Sequence, residues 1–179
     1  MLLPLLTHFE SYLPFDEAEK QLFVGRVGQR QLKRRQAILQ AGFPCQHYTF
    51  VVSGCLRLYA LDHKGTEHNL LFAAENEWIA DISSFHSGQP SQLFIAALEP
   101  AVILQIDQQD LYFLYLAIPK LDRIFKVIVE NKYVELQNRV LQTISSTAHE
   151  RYVAFLTHYP HLARRLPSTQ IAVLPGHYP

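Results

Sequence analysis

Cysteine is scarce in this sequence of 179 residues, and neither sign of charge is in excess. The two cysteines, Cys45 and Cys55, are too few for the disulfide framework of a small secreted domain or for a cysteine-ligated iron–sulfur cluster. Free cysteine is among the most buried residue types, so we expect both to be reduced thiols with a structural role. Because thiols stay reduced in the cytoplasm, we predict a cytoplasmic protein.

Sixteen acidic and sixteen basic side chains give a formal net charge of zero. A free-standing nucleic-acid-binding domain is usually basic, so the chain as a whole shows no electrostatic signature of DNA binding. Hydrophobic residues make up 49% of the chain and charged residues 18%, which excludes a disordered polyelectrolyte. The length suits one domain with an appendage.

Long apolar runs are also missing. The N-terminal stretch MLLPLLTHFESYLPF lacks the basic flank of a secretory signal and is interrupted by Pro4 and Pro14. No run approaches the ~18 apolar residues of a membrane-spanning helix. We therefore expect no membrane partner.

Enzyme signatures are absent as well. The sequence contains no Gly-x-Ser-x-Gly, no P-loop and no dinucleotide fingerprint. None of its nine histidines forms the His-x-His pair of a cupin metal site. His63 and His68 flank a turn, and His158 and His161 are three residues apart, but two ligands without a third do not make a zinc site. We predict a protein that is not an enzyme and holds no metal or cofactor.

The N-terminal half combines one short helix with many strands. Residues 15–30 predict a helix capped by Asp16, and residues 34–106 are rich in β-branched and aromatic side chains punctuated by glycine. Short strands separated by turns favour an antiparallel barrel or jelly roll. The predicted strands are Tyr48–Val52, Leu56–Leu61, Glu67–Phe72, Leu93–Leu98 and Val102–Ile106, with a hairpin turn at 62–65.

The C-terminal half is helical. Asp107 predicts a helix start, and a long helix follows Pro119 to about Thr147, with apolar residues every three or four positions. Two interpretations stay open: this helix packs only on its own barrel, or it also packs on its copy in a homodimer. Residues 148–172 predict a further helix that ends at Tyr159-Pro160. The candidate dimer-interface residues are Leu121, Phe125, Val129, Tyr133, Leu136 and Val140.

The order of helix, β-roll, long helix and helical tail resembles the catabolite-activator/fumarate-nitrate regulator (Crp/Fnr) family of bacterial transcription factors. The stretch AILQAGFPCQHYTFVVSGCLRLY is similar to the family's first roll strands, and HKGTEHNLLFAAENEWIADISSF to the next hairpin and the start of its ligand cassette. The segment RLPSTQIA resembles the first helix of its winged helix-turn-helix. The resemblance implies an α+β fold. Its expected parts are a cyclic-nucleotide-binding-like β-roll with an N-terminal helix (1–118), a dimerisation helix (119–147) and a truncated helix-turn-helix (148–179).

In family members that bind cyclic nucleotides, the cassette begins Gly-Glu-Leu and continues to Arg-Ser/Thr-Ala. A helix N-terminus and the arginine hold the cyclic phosphate, and the glutamate takes the ribose hydroxyl. By this resemblance Ala80 stands for the glycine, Asp81 for the glutamate and Ser91 for the arginine. A serine supplies neither the fixed cation nor the bidentate donor, and the lost charge-assisted contact is worth about 1.5–3 kcal/mol. We therefore expect cAMP binding to be weak or absent, with an effector of another kind or none.

The candidate ligand-binding residues follow from the same alignment with the family. Arg57 is added as a substitute cation, on the strand face opposite Leu56 and Leu58. The alternative role of Trp78 is a packing anchor between the roll and the long helix. The full set is Trp78, Ala80, Asp81, Ile82, Ser83, Ser84, Ser91, Gln92, Leu93 and Arg57.

The C-terminal residues carry the candidate DNA contacts. Pro175 and Pro179 are incompatible with a recognition helix, so we expect DNA binding in a full-length parent and not in this chain. The expected function is an effector-sensing domain that couples a small molecule to DNA binding through a dimer helix. The alternative is a β-roll small-molecule-binding module or a cupin-like metalloenzyme without DNA function. The candidate DNA-binding residues are Arg164, Arg165, Ser168, Thr169 and Gln170.

Overall fold

The computed structural model describes residues 2–165; the candidate DNA contacts Ser168, Thr169 and Gln170 lie outside them. Two antiparallel sheets form a β-roll, and helices precede and follow it. The helices are α1 (Leu3–Glu10), α2 (Glu17–Phe23), α3 (Ile82–Ser87), α4 (Gln108–Ala117), α5 (Pro119–Ser145), α6 (Ala148–His158) and α7 (Pro160–Ala163). The strands are β1 (Gly28–Leu32), β2 (Ala37–Leu39), β3 (His47–Ser53), β4 (Leu56–Leu61), β5 (Glu67–Ala73), β6 (Trp78–Ile79), β7 (Phe94–Ala97) and β8 (Ala101–Asp107).

The predicted β-roll is confirmed. Each sheet has four strands, in the orders β1-β8-β3-β6 and β2-β7-β4-β5. The hairpin between β4 and β5 turns at Gly65, whose φ of 80° is open to glycine and rare for other residues. Asp62 accepts backbone hydrogen bonds from Lys64 and Thr66 at 2.8 and 2.9 Å, which closes the turn. Because successive side chains of a strand point to opposite faces of the sheet, one face of each sheet lies inside the roll.

The helix predicted over residues 15–30 is wrong in its second half. It begins as expected, because Asp16 and Glu19 form a capping box, but it ends at Phe23. Gly25 adopts a φ of 83°, and Gly28 begins β1, which pairs with β8. Glycine in a helix costs about 1 kcal/mol relative to alanine, which disfavours a helix at these positions. Pairing with β8 stabilises the extended conformation there instead. The pattern also gave no sign of α1, whose Leu5 and Phe9 are buried.

An aromatic cluster fills the space between the first sheet and α5. Trp78 lies 5.1 Å, centroid to centroid, from both Phe50 and Phe125, and 5.8 Å from Phe9. Such ring pairs contribute beyond their buried area. Trp78 therefore anchors the long helix and the N-terminal helix to the roll, as its packing interpretation predicted.

Helix α5 is buried over its first turns and exposed afterwards. Leu121 and Phe125, which the sequence pattern assigned to a dimer interface, are only 0% and 4% exposed and belong to the protomer's own core. They sit where α5 crosses the aromatic cluster, so they are not available to a second chain. Val129, Tyr133, Leu136 and Val140, by contrast, are exposed by 40–60%.

Helices α6 and α7 pack against the second sheet. Phe155 meets Phe72 edge-on at 6.0 Å, and Leu162 is buried. Beyond α7, the Arg165 guanidinium pairs with Glu75 at 2.8 Å and also with Glu99. No helix within residues 2–165 is long and apolar enough to span a bilayer.

Candidate effector-binding cassette

The cassette begins where β6 ends. Asp81 is the N-cap of α3, and its carboxylate accepts a 3.2 Å hydrogen bond from the Ser84 amide. Gly88, with a φ of 69°, ends the helix in the left-handed conformation that glycine favours. Local capping signals thus define both ends of this short helix.

A direct hydrogen bond closes this cassette. The Ser91 hydroxyl donates to the second carboxylate oxygen of Asp81 at 2.6 Å. Ser91 is only 4% exposed, and its hydroxyl also accepts from the Leu93 amide at 2.9 Å. Its backbone pairs with Gly42 and Phe43 across the mouth of the roll. The two residues aligned with the family's glutamate and arginine therefore satisfy each other.

Ser84 connects the cassette to the segment that precedes β3. Its hydroxyl donates to the Gln89 carbonyl at 2.6 Å and accepts from the Cys45 amide at 2.8 Å. Burial raises the pKa of the Cys45 thiol, which keeps this sulfur protonated at neutral pH. Burial likewise raises the pKa of Cys55 to about 12, and both thiols are free. Neither is a reactive cysteine.

The remaining cassette residues are divided between core and surface. Trp78 and Ala80 are buried, whereas Ile82, Ser83 and Gln92 are exposed. The segment from Trp78 to Leu93 contains neither lysine nor arginine, and its one carboxylate, on Asp81, would face a bound phosphate unfavourably. The arrangement suits an uncharged or positively charged group better than an anion.

Arg57 lies apart from the cassette. It alternates with Leu56 and Leu58, which are in the roll core, and it sits on the opposite strand face as predicted. Its guanidinium donates to Glu67 at 2.6 Å and to Asn69 at 3.1 Å. It also stacks 4.0 Å above the Tyr59 ring. The structure does not bring Arg57 together with Asp81 or Ser91, and its charge is already compensated.

A polar cavity of about 130 Å³ lies between the two sheets, separate from the cassette bond. The Arg30 guanidinium donates to the Gln105 amide oxygen, and the Gln105 amide donates to Thr49, each at 3.1 Å. Burial lowers the pKa of His47 at its rim. The sequence alone gave little indication of this cavity. Its polar residues can be assigned to the inside of the roll only when the strand pairing is known. No group of three His, Cys, Asp or Glu side chains with metal-binding geometry occurs within residues 2–165.

Comparison with known proteins identifies the roll. The model of the cyclic nucleotide-binding domain family matches residues 29–117. Residues 29–117 belong to the cyclic nucleotide-binding domain family. The matched range runs from β1 to the end of α4, so it contains the whole roll and the cassette. No curated protein matches the sequence.

Solved structures show that the fold extends beyond this cyclic nucleotide-binding domain. A protein described as a Crp/Fnr-family regulator from Eubacterium rectale superposes with a TM-score of 0.76 at 16% identity, over 96% of this chain and 82% of its own. CooA from Carboxydothermus hydrogenoformans superposes with a TM-score of 0.71 at 15% identity, over 96% of this chain and 77% of its own. The c-di-GMP-responsive regulator CLP from Xanthomonas campestris reaches 0.65 at 16% identity, over 79% and 71%. The chain therefore has the fold of Crp/Fnr regulators, including the long helix.

Proposed function

We propose that this chain is the sensing domain of a Crp/Fnr-type transcription regulator whose cassette does not bind the phosphate of cAMP. The observation that carries the proposal is the Ser91–Asp81 hydrogen bond. A cyclic nucleotide would have to break this bond, uncover the Asp81 carboxylate and bind without a cation. Each of these changes disfavours an anionic ligand.

Calorimetric titration of the chain with cAMP and with c-di-GMP tests this proposal. We expect no saturable binding of either nucleotide up to millimolar concentration. The matched variant is Ser91→Arg, which restores the family's cation and removes the donor that holds Asp81; we expect it to bind cAMP at least tenfold more tightly than the parent. Saturable micromolar binding of either nucleotide to the unaltered chain would contradict the proposal.

We further propose that the chain forms a homodimer through the exposed half of α5. Support comes from Val129, Tyr133, Leu136 and Val140, which recur at intervals of four, three and four residues on an exposed face. This is the spacing of a coiled-coil seam, and a run of apolar side chains at 40–60% exposure favours a partner. The interface in this proposal no longer includes Leu121 and Phe125.

Coupling to DNA is the third part of the proposal. The zero net charge and the engagement of Arg165 by Glu75 and Glu99 support the view that this chain alone does not bind DNA specifically. DNA recognition would belong to the full-length parent, in the cytoplasm, with Arg164 and Arg165 at the start of the DNA-binding part. A specific, salt-sensitive gel shift with this chain would contradict the proposal.

A β-roll binding module without DNA function is the alternative. The polar cavity beside Gln105 favours a binding role for the roll itself. A full-length parent that gives no gel shift on any genomic fragment, while the roll still binds a small molecule, would favour this alternative.

A further inference from the structure

The last two helices form an arm, residues 148–165, that lies on the second sheet. Two extended residues, Ser146 and Thr147, separate α5 from α6. Each helix end is closed locally, because the Ser146 amide donates to the Gln142 carbonyl and Thr147 forms a capping box with Glu150. Neither cap depends on the other helix. Rotation about the junction between Ser146 and Thr147 therefore leaves both caps intact.

The arm rests on a small apolar cluster that is separate from the main core. Phe155 and Leu162 of the arm pack with Cys55, Phe72 and Ala74 of the roll, and all five side chains are buried. The main core includes none of the five. So small a cluster contributes much less burial than the main core does, so this contact can open while the roll stays folded.

Ion pairs at the C-terminal end of the arm hold it to the roll, and we call them the latch. The Arg165 guanidinium donates to both carboxylate oxygens of Glu75, at 2.8 and 2.9 Å, and also to Glu99. Glu75 in turn accepts a hydrogen bond from the Gly54 amide at 2.8 Å. The latch therefore joins the arm to three turns of the roll, which precede β4, β6 and β8.

The latch is partly open to solvent. The side chains of Arg165, Glu75 and Glu99 are 30%, 35% and 29% exposed. Water and salt screen ion pairs at such exposure, so the latch contributes only modestly to the contact. The Tyr159 hydroxyl of the arm also donates to Glu135, but this bond is made with α5 and not with the roll. The arm is thus held to the roll by a small apolar cluster and a screened ion pair.

We propose that the arm has two positions, one docked on the second sheet and closed by the latch, the other released from the roll. Release uncovers Cys55 and Phe72 while the main core stays intact. In the docked position Glu75 and Glu99 occupy the Arg165 guanidinium, and a phosphate would compete with them for the same donors. That the released Arg165 contacts DNA phosphates rests on the proposed function; the two positions of the arm do not.

The two cysteines make this proposal measurable, because Cys55 lies in the cluster shared with the arm and Cys45 lies in the main core. The full chain is labelled with N-ethylmaleimide at urea concentrations below the unfolding midpoint, and mass spectrometry quantifies the label on each cysteine. Each rate is divided by the rate of the same cysteine in the unfolded chain. We expect Cys55 to be labelled at least tenfold faster than Cys45. Its rate should also rise less steeply with urea, since release exposes little surface.

Two variants of the arm test whether its release is what exposes Cys55. Arg165→Ala removes the latch, and we expect labelling of Cys55 to become about fivefold faster. Phe155→Ala removes an apolar contact of the arm and should accelerate it at least tenfold. The matched controls are Arg164→Ala, which removes the same charge one position earlier, and Val153→Ala, which shortens an exposed side chain of α6. Both controls should leave the rate within about twofold of the parent.

Added salt gives a separate test of the latch. Screening should speed the labelling of Cys55 in the parent and narrow its difference from Arg165→Ala.

Three outcomes would overturn the inference. Equal normalised rates and equal urea dependence for Cys55 and Cys45 would mean that Cys55 becomes accessible only on global unfolding. Labelling of Cys55 that neither arm variant accelerates would mean that the turn before β4 opens without the arm. A difference between parent and Arg165→Ala that salt leaves unchanged would exclude an ionic latch. None of these measurements involves a nucleotide or DNA, so the proposed function stands or fails separately.

Discussion

The Ser91 hydroxyl and the Asp81 carboxylate share a 2.6 Å hydrogen bond across the mouth of the cassette. Asp81 at the same time caps α3 through the Ser84 amide. A carboxylate that accepts hydrogen bonds from a buried hydroxyl and from a helix N-terminus is stabilised in that position. The cassette therefore behaves as a closed structural turn unless a ligand displaces Ser91.

The first prediction concerns the stability of this turn. Asp81→Ala removes both the cap and the Ser91 contact, and we expect a loss of about 1–2 kcal/mol in the free energy of unfolding. Ser83→Ala, on the exposed face of the same helix, is the control and should change it by less than about 0.5 kcal/mol. Urea unfolding followed by Trp78 fluorescence measures both. Equal effects of the two variants would show that Asp81 does not stabilise the cassette.

The second prediction concerns the turn between β3 and β4. Gly54 has a φ of 93°, and a Cβ there would lie 2.7 Å from both the Ala101 Cβ and the Pro100 oxygen. Gly54→Ala should therefore cost both backbone strain and a displacement of β8, about 3 kcal/mol or more. Gly42→Ala is matched in backbone, with a φ of 90° and no neighbour within 4 Å. It should lose only about 1 kcal/mol. Similar Tm values for the two variants would disprove the steric argument.

The third prediction separates dimerisation from folding. Leu136→Asp places a charge in the exposed seam of α5, and we expect a monomer by light scattering at micromolar concentration, with secondary structure retained. Asn138→Asp adds the same charge at another exposed position of α5 and should remain dimeric. A parent chain that is already monomeric under these conditions would refute the proposed interface.

The fourth prediction concerns the ion pairs of Arg165. Its guanidinium holds the pKa of Glu75 at about 2, below the ordinary 4.5, so the stabilisation is present above pH 4.5 and is lost as the pH falls toward 2. Because both side chains are about one-third exposed, we expect Arg165→Ala to cost only about 1 kcal/mol at pH 7.

This difference from the parent should shrink on acidification and be nearly gone at pH 2. Arg164→Ala, next to it in sequence, should show no such pH-dependent difference. Denaturant unfolding at pH 7, 4 and 2 gives the comparison. A constant difference between parent and Arg165→Ala at all three pH values would mean that the loss comes from packing and not from the ion pair.

The sequence by itself determined the local features of this protein. Asp16 with Glu19 began a helix, Asp62 to Gly65 made a hairpin, and alternating apolar residues produced individual strands. Each of these depends on side chains and backbone groups a few residues apart, so it can be derived from spacing. The family resemblance, carried by local motifs, was confirmed for the same reason.

Only the tertiary structure decided which groups found partners across the fold. Gly28 belongs to a strand because β1 pairs with β8. Phe125 is not part of the dimer face because its ring packs against Trp78 in the protomer's own core. Whether Ser91 would contact Asp81, and whether the Trp78 Nε1 would find a hydrogen-bond partner within residues 2–165, depended on how distant elements packed. Such outcomes are set by burial and by long-range contacts, which no local pattern contains.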